Sequence, residues 1–315
     1  MRANHQDKYG GPGTFKTGKA VLVALILLEI VGLILVLNVC YGRHARNRPI
    51  TDSGRVEGDV EHWHVTSLKR TAAEAEQALE PIQEKWGKLF QQSPCAIEAY
   101  EGLEGKYFAE EQYAQALRMD GKIRELLGHE RNYIWTTYLA GLAHDEVYLQ
   151  VLSRRSEVLS DPEYRTWVEA NLAWARGDFA CVCSVAKRGT EISGLKTRYA
   201  MMFGLLHSRA LFQQGKFSEA FATWCGTPGD KDYLKENFTF LLHMLIESLQ
   251  MARAAKDYDA ALQPADSLKR YLTVVVQDVS WKPHMQVVKD FFREYSRQPR
   301  PDTAPWRSSG DALLD

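Results

Sequence analysis

Hydrophobic positions fall into three regimes along the chain. From Ala20 to Tyr41 they are almost continuous, AVLVALILLEIVGLILVLNVCY, and only Glu29 and Asn38 interrupt them. As a helix this run crosses a hydrocarbon core of about 30 Å, so it predicts one transmembrane helix at 20–41. From about Val65 to Arg297 the apolar residues instead recur at three- and four-residue steps, the helical period. Thr66–Gln92 is rich in Ala, Glu, Gln, Lys and Leu, all strong helix formers, and no strand alternation bounded by hairpin turn pairs is present. The remaining stretches have no period. Residues 1–19 are Gly-rich and polar and read as a flexible tail; 42–64 carry Arg, Gly, Asp and Pro and read as a linker; 298–315, with Pro299, Pro301 and Pro305, reads as a disordered tail. The predicted fold class is all-α, with the folded domain at 65–297.

A cleaved signal peptide fits the apolar run poorly, because the run is long, Glu29 interrupts it and no small-residue cleavage site follows. Flanking charge does not orient the span: Arg2, Lys8, Lys16 and Lys19 precede it, and Arg43, Arg46, Arg48 and Arg55 follow it. A short positive tail is hard to translocate, whereas a long domain crosses largely regardless of charge. The reading is therefore a cytoplasmic N-terminus with the helical domain outside, in a single-pass protein of a bacterial inner membrane. Glu29 near mid-span costs roughly 2.5–3.5 kcal/mol on insertion scales. It is a candidate contact to a second transmembrane helix, with Gly32 permitting close backbone approach.

Within the helical region a short element recurs: a turn residue, an aromatic, and a small or branched residue three positions on. It is seen around Tyr113, Tyr148, Phe179, Phe217 and Tyr258, at intervals of roughly 30–40 residues, the range of stacked helical hairpins. The first two copies align best, Glu111–Leu117 (EQYAQAL) against Glu146–Leu152 (EVYLQVL). The element resembles the start of the second helix in a tetratricopeptide repeat. First-helix positions of that family are also met by Tyr100, Leu103 and Tyr107, and by Trp135 in the second copy. Later copies depart from it, with Trp167 one residue late and Gly204 and His207 at two apolar positions. The resemblance covers about residues 95–275. It implies a tetratricopeptide-like α-solenoid of about five hairpins, with Thr66–Gln92 and Lys282–Ser296 as terminal helices covering its ends.

Members of that family bind peptides or helices on the concave side lined by their first helices. Projected onto this chain, those positions nominate Tyr133, Tyr164, Trp167, Asn171, Trp174, Met202, Arg209, Phe212, Gln250 and Arg253. Aromatics, Met and Arg are the types enriched at interface hot spots, and the set suits an apolar or helical segment of a protein partner. Trp and Tyr at helical spacing are as readily core, so the same residues have a packing explanation.

Composition narrows the chemistry. Lys+Arg 39 against Asp+Glu 40 leaves a net charge of −1 and no general polycation for a phosphate backbone, so nucleic acid is not an expected partner. Five cysteines do not make a disulfide scaffold. His62-Trp63-His64 and Cys181-Val182-Cys183 are isolated i,i+2 pairs that diverge on a helix, and no CxxC, HExxH, P-loop, GxGxxG or GxSxG is present. The expectation is a non-enzymatic, cofactor-free and metal-free adaptor that recruits a protein at a membrane. The alternative is a permanently bound accessory subunit of a larger membrane complex, held through the transmembrane helix. The architecture is similar to bacterial single-pass tetratricopeptide proteins that accompany secretion or envelope assembly.

Overall fold

The computed structural model describes residues 53–127, 133–192, 195, 197–229, 238–275 and 278–297. The apolar run 20–41 with Glu29 and Gly32, the first part of the linker and the tail 298–315 lie outside them. Among the described residues every regular element is a helix, and none is long and apolar enough to cross a membrane.

Two helices open the described chain, α1 (Ser53–Ser67) and α2 (Ala72–Gln91). The first corrects the linker reading for residues 53–64. Val56, Val60 and Trp63 recur at helical spacing and are all buried, and the Trp63 indole N–H donates to the Ala75 carbonyl at 2.9 Å. This three-residue stripe is diluted by acidic residues, two glycines and two histidines, which hides its period. Helix α2 starts later than Thr66 because Thr71 and Glu74 form a reciprocal capping box.

Five hairpins follow among the described residues: α3/α4 (Pro94–Ala109 and Tyr113–Leu127), α5/α6 (Tyr133–Leu142 and Glu146–Ser153), α8/α9 (Pro162–Ala175 and Phe179–Thr190), α10/α11 (Thr197–Gln213 and Phe217–Cys225) and α12/α13 (Phe238–Ala255 and Tyr258–Val275). A short α7 (Ser156–Ser160) precedes the third, and a 3-10 turn (Val279–Trp281) leads into α14 (Lys282–Ser296).

One turn joins the two helices of every hairpin. Glu111, His144, Gly177, Gly215 and Lys256 each adopt positive φ, between 55° and 75°. The next residue's N–H then reaches back six residues inclusive: Gln112 to Tyr107, Asp145 to Ala140, Asp178 to Ala173, Lys216 to Leu211 and Asp257 to Ala252, at 2.8–3.0 Å. This is a Schellman closure, which satisfies carbonyls orphaned at the end of the first helix. At Asp145 and Asp178 the same residue also caps the second helix, accepting from the Tyr148 and Cys181 amides at 2.9 and 3.0 Å.

The turn corrects the register of the repeat. Tyr113, Phe179, Phe217 and Tyr258 each begin a second helix, but in the second copy Glu146 begins it and Tyr148 lies two residues further on. His144 is thus the counterpart of Glu111, and the alignment of Glu111–Leu117 with Glu146–Leu152 is two residues out. Burial agrees: Ala116, Val182, Ala220 and Ala261 are fully buried three residues after their aromatics, Val151 is 53% exposed, and Leu149 takes the buried position.

A non-glycine residue in the left-handed region costs roughly 1 kcal/mol. Lys256→Gly, at an exposed site, is therefore expected to stabilise the fold by about 0.5–1 kcal/mol, read as a higher urea midpoint with unchanged slope.

Consecutive hairpins pack on one another, α8 against α5, α10 against α9 and α8, and α12 against α11. Gly204 shows why the fourth copy leaves the expected apolar pattern: a Cβ there would lie 2.3 Å from Thr227 Oγ1, so only glycine admits that neighbour. The series also closes on itself, because α12 contacts α3. The Phe108 and His243 rings sit 4.6 Å apart, and Phe240 lies edge-on to Trp135 and Tyr138 at 5.7 and 5.8 Å. The faces shared by the first helices thereby become an aromatic core.

Candidate partner-binding site

The ten projected groove residues separate into two groups. Tyr164, Trp167, Asn171 and Met202 are buried. Trp167 is stacked on Tyr138 and edge-on to Phe203, and its indole N–H donates to the Ile134 carbonyl at 3.1 Å; Asn171 Nδ2 donates to the Trp167 carbonyl at 2.9 Å. These four side chains are enclosed within the packing of the hairpins, not open at its surface. Tyr133 opens α5, and its side chain lies outside the described residues.

Trp174, Arg209, Phe212 and Gln250 are brought together. With Gln213, Glu247 and Met251 they line a cavity of about 100 Å³. They come from the last turns of α8 and α10 and from the middle of α12, so three successive hairpins contribute. Arg253, one turn beyond Gln250, is engaged elsewhere: its Nε donates to Glu294 Oε2 at 2.9 Å and its second nitrogen pairs with Oε1 of the same carboxylate.

The inner wall of the cavity is an ion pair between Arg209 and Glu247, both nearly buried. Arg209 also donates to the Tyr138 hydroxyl at 2.6 Å, lies 3.1 Å from His243 Nε2, and sits over the Tyr138 and Trp174 rings at 5.4 and 5.5 Å. His243 Nε2 is 3.3 Å from Glu247 Oε1, one helical turn away on α12. Burial alone would raise the Glu247 pKa, but the Arg209 charge and His243 outweigh it and hold the carboxyl down at about 2. Burial, with Glu111 and Glu247 adding to it, pushes the nearby Tyr113 phenol up to about 12 against the opposing influence of Arg209.

Sequence reasoning missed Glu247. The available signal was two lone charges of opposite sign on apolar helices, Arg209 in YAMMFGLLHSRALF and Glu247 in FTFLLHMLIESLQM. Acid sensitivity follows from the pair. The folded-state pKa of Glu247 lies below the ordinary carboxylate value, so its contribution is complete above about pH 4.5 and is lost as pH falls toward 2. The stability gap between the native chain and Glu247→Gln is expected to shrink by roughly 3 kcal/mol between pH 6 and pH 2, measured by urea unfolding at each pH.

A second cavity, of about 240 Å³, is lined mainly by apolar residues, including Leu205, Trp224, Leu241 and Met244, with no convergent charge. Among the described residues no three His, Cys, Asp or Glu side chains converge as a metal site. His62 and His64 lie on α1, and burial raises the Cys181 and Cys183 thiols above their usual range, away from the ligating thiolate form. No known protein family and no curated protein matches the chain.

Phe212, exposed Gln213 and exposed Gln250 form the rim of the first cavity, with Trp174, Met251 and the neutralised Arg209–Glu247 pair inside. An apolar wall with a few fixed polar groups provides orientation as well as contact area.

Proposed function

We propose that the chain is a membrane-anchored adaptor that binds a segment of a protein partner at this cavity. The observation that carries the reading is the convergence of Trp174, Arg209, Phe212 and Gln250 on one cavity spanning three hairpins. Five hairpins with one repeated turn support a tetratricopeptide-like α-solenoid, and the continuous apolar run 20–41 supports a single transmembrane anchor in which Glu29 and Gly32 meet another membrane helix. The recognition surface differs from an open groove: it is the mouth between the ends of α8 and α10 and the middle of α12, and a partner inserts a side chain there while its backbone runs over the Gln213 and Gln250 amides.

A second reading is favoured by one feature. Val147 is 74% exposed and Val151 53% exposed, one turn apart on α6, an apolar face that suits an accessory subunit covered by a permanent neighbour. A photo-crosslinking residue placed at position 250 or at position 147 of the full chain separates the two. The adaptor reading expects one dominant protein adduct from 250 and none from 147. The reverse pattern would support the accessory-subunit reading.

A further inference from the structure

Lys106, near the end of α3, is buried, and all three of its ammonium hydrogens have acceptors. Nζ donates to the Arg70 carbonyl at 2.8 Å, to Asp278 Oδ1 at 2.7 Å and to Ser280 Oγ at 3.2 Å. Ser280 Oγ in turn donates to Glu110 Oε1 at 2.8 Å, and the same oxygen accepts the Ala72 amide at 2.8 Å. The Val279 amide donates to the Leu68 carbonyl at 2.8 Å, and His284 Nε2 lies 2.7 Å from the Ala109 carbonyl. One polar cluster therefore ties the α1–α2 turn, the end of α3 and the 3-10 turn before α14, elements at opposite ends of the described sequence.

A lysine beside a serine and a carboxylate also resembles a nucleophile with its base. Here the serine proton is committed to Glu110, the ammonium is saturated, and Lys106 and Ser280 are both about 95% or more buried. No substrate reaches the hydroxyl, so the cluster holds structure.

A stack of hairpins needs no such link. When each repeat touches only its neighbours, the two ends open independently. Burying a lysine ammonium is costly unless every partner stays in place, and losing either of its half-buried carboxylate neighbours, Asp278 or Glu110, loosens the rest of the cluster. We propose that Lys106 is the centre of a latch that makes the first two helices and the last element a single cooperative unit, so that both ends of the described chain open together in one sub-global transition.

Hydrogen–deuterium exchange on the full 315-residue chain in mild detergent, without any partner, tests this independently of the cavity reading. In Lys106→Met, amides of α1, the start of α2, the 3-10 turn and α14 are expected to lose protection in parallel, by about tenfold or more, while α8, α9 and α10 keep theirs. Ser280→Ala is the milder variant, removing the Ser280 bonds to Lys106 and Glu110 but leaving the ammonium its Arg70 and Asp278 acceptors. It is expected to accelerate the same segments about fivefold, which keeps the test valid if the first variant does not fold. Loss confined to α3, a uniform loss across all helices, or an unchanged α14 in Ser280→Ala would overturn the latch.

Discussion

Arg209→Met lowers stability by about 3–5 kcal/mol in this account, because it leaves Glu247 buried without its cation. The methionine keeps most of the packing volume, so the loss is electrostatic. The companion variant Arg209→Met/Glu247→Leu, which removes both charges, is expected to recover most of it, since replacing a buried pair with apolar residues is often neutral or stabilising. Urea unfolding of the two variants reads this directly. A single-variant loss below about 1 kcal/mol would mean the pair is screened as an exposed one is.

Trp167→Ala is expected to cost about 3–5 kcal/mol. The side chain is fully buried between Tyr138 and Phe203, and its removal also deletes the indole hydrogen bond to the Ile134 carbonyl. This separates the two groups of projected residues. Trp167→Ala should fail first in thermal stability, whereas Gln250 and Phe212 variants should fold normally. A stable Trp167→Ala that had lost only its partner would return Trp167 to the binding surface.

Local chemistry was legible in the sequence where one short segment specifies it. A glycine or polar residue followed by an aromatic marks the hairpin turns because the left-handed residue, the cap and the first residue of the next helix are contiguous. Where the aromatic is replaced by Glu146, similarity of letters pulled the alignment two residues toward Tyr148, although Asp145 is the physical cap. Helix α1 was missed because its buried apolar residues, Val56, Val60 and Trp63, make a weak stripe among polar ones. The candidate site was half visible. The tetratricopeptide resemblance placed Trp174, Arg209, Phe212 and Gln250 on first helices, but it placed Trp167 and Met202 there equally well. What divides them is the contact of α12 with α3, a long-range pairing that no local period encodes. The contact turns the middle of the first-helix face into core and leaves only its end open.

The most direct test is co-purification of the tagged full chain, in mild detergent, as wild type and as Gln250→Trp. Gln250 is exposed on the rim, so the larger ring fills the mouth of the cavity without disturbing the core. The account predicts that a protein retained by the wild type is lost from the variant, while the variant's urea midpoint stays unchanged. Equal recovery of the same protein by both would contradict recognition at this cavity.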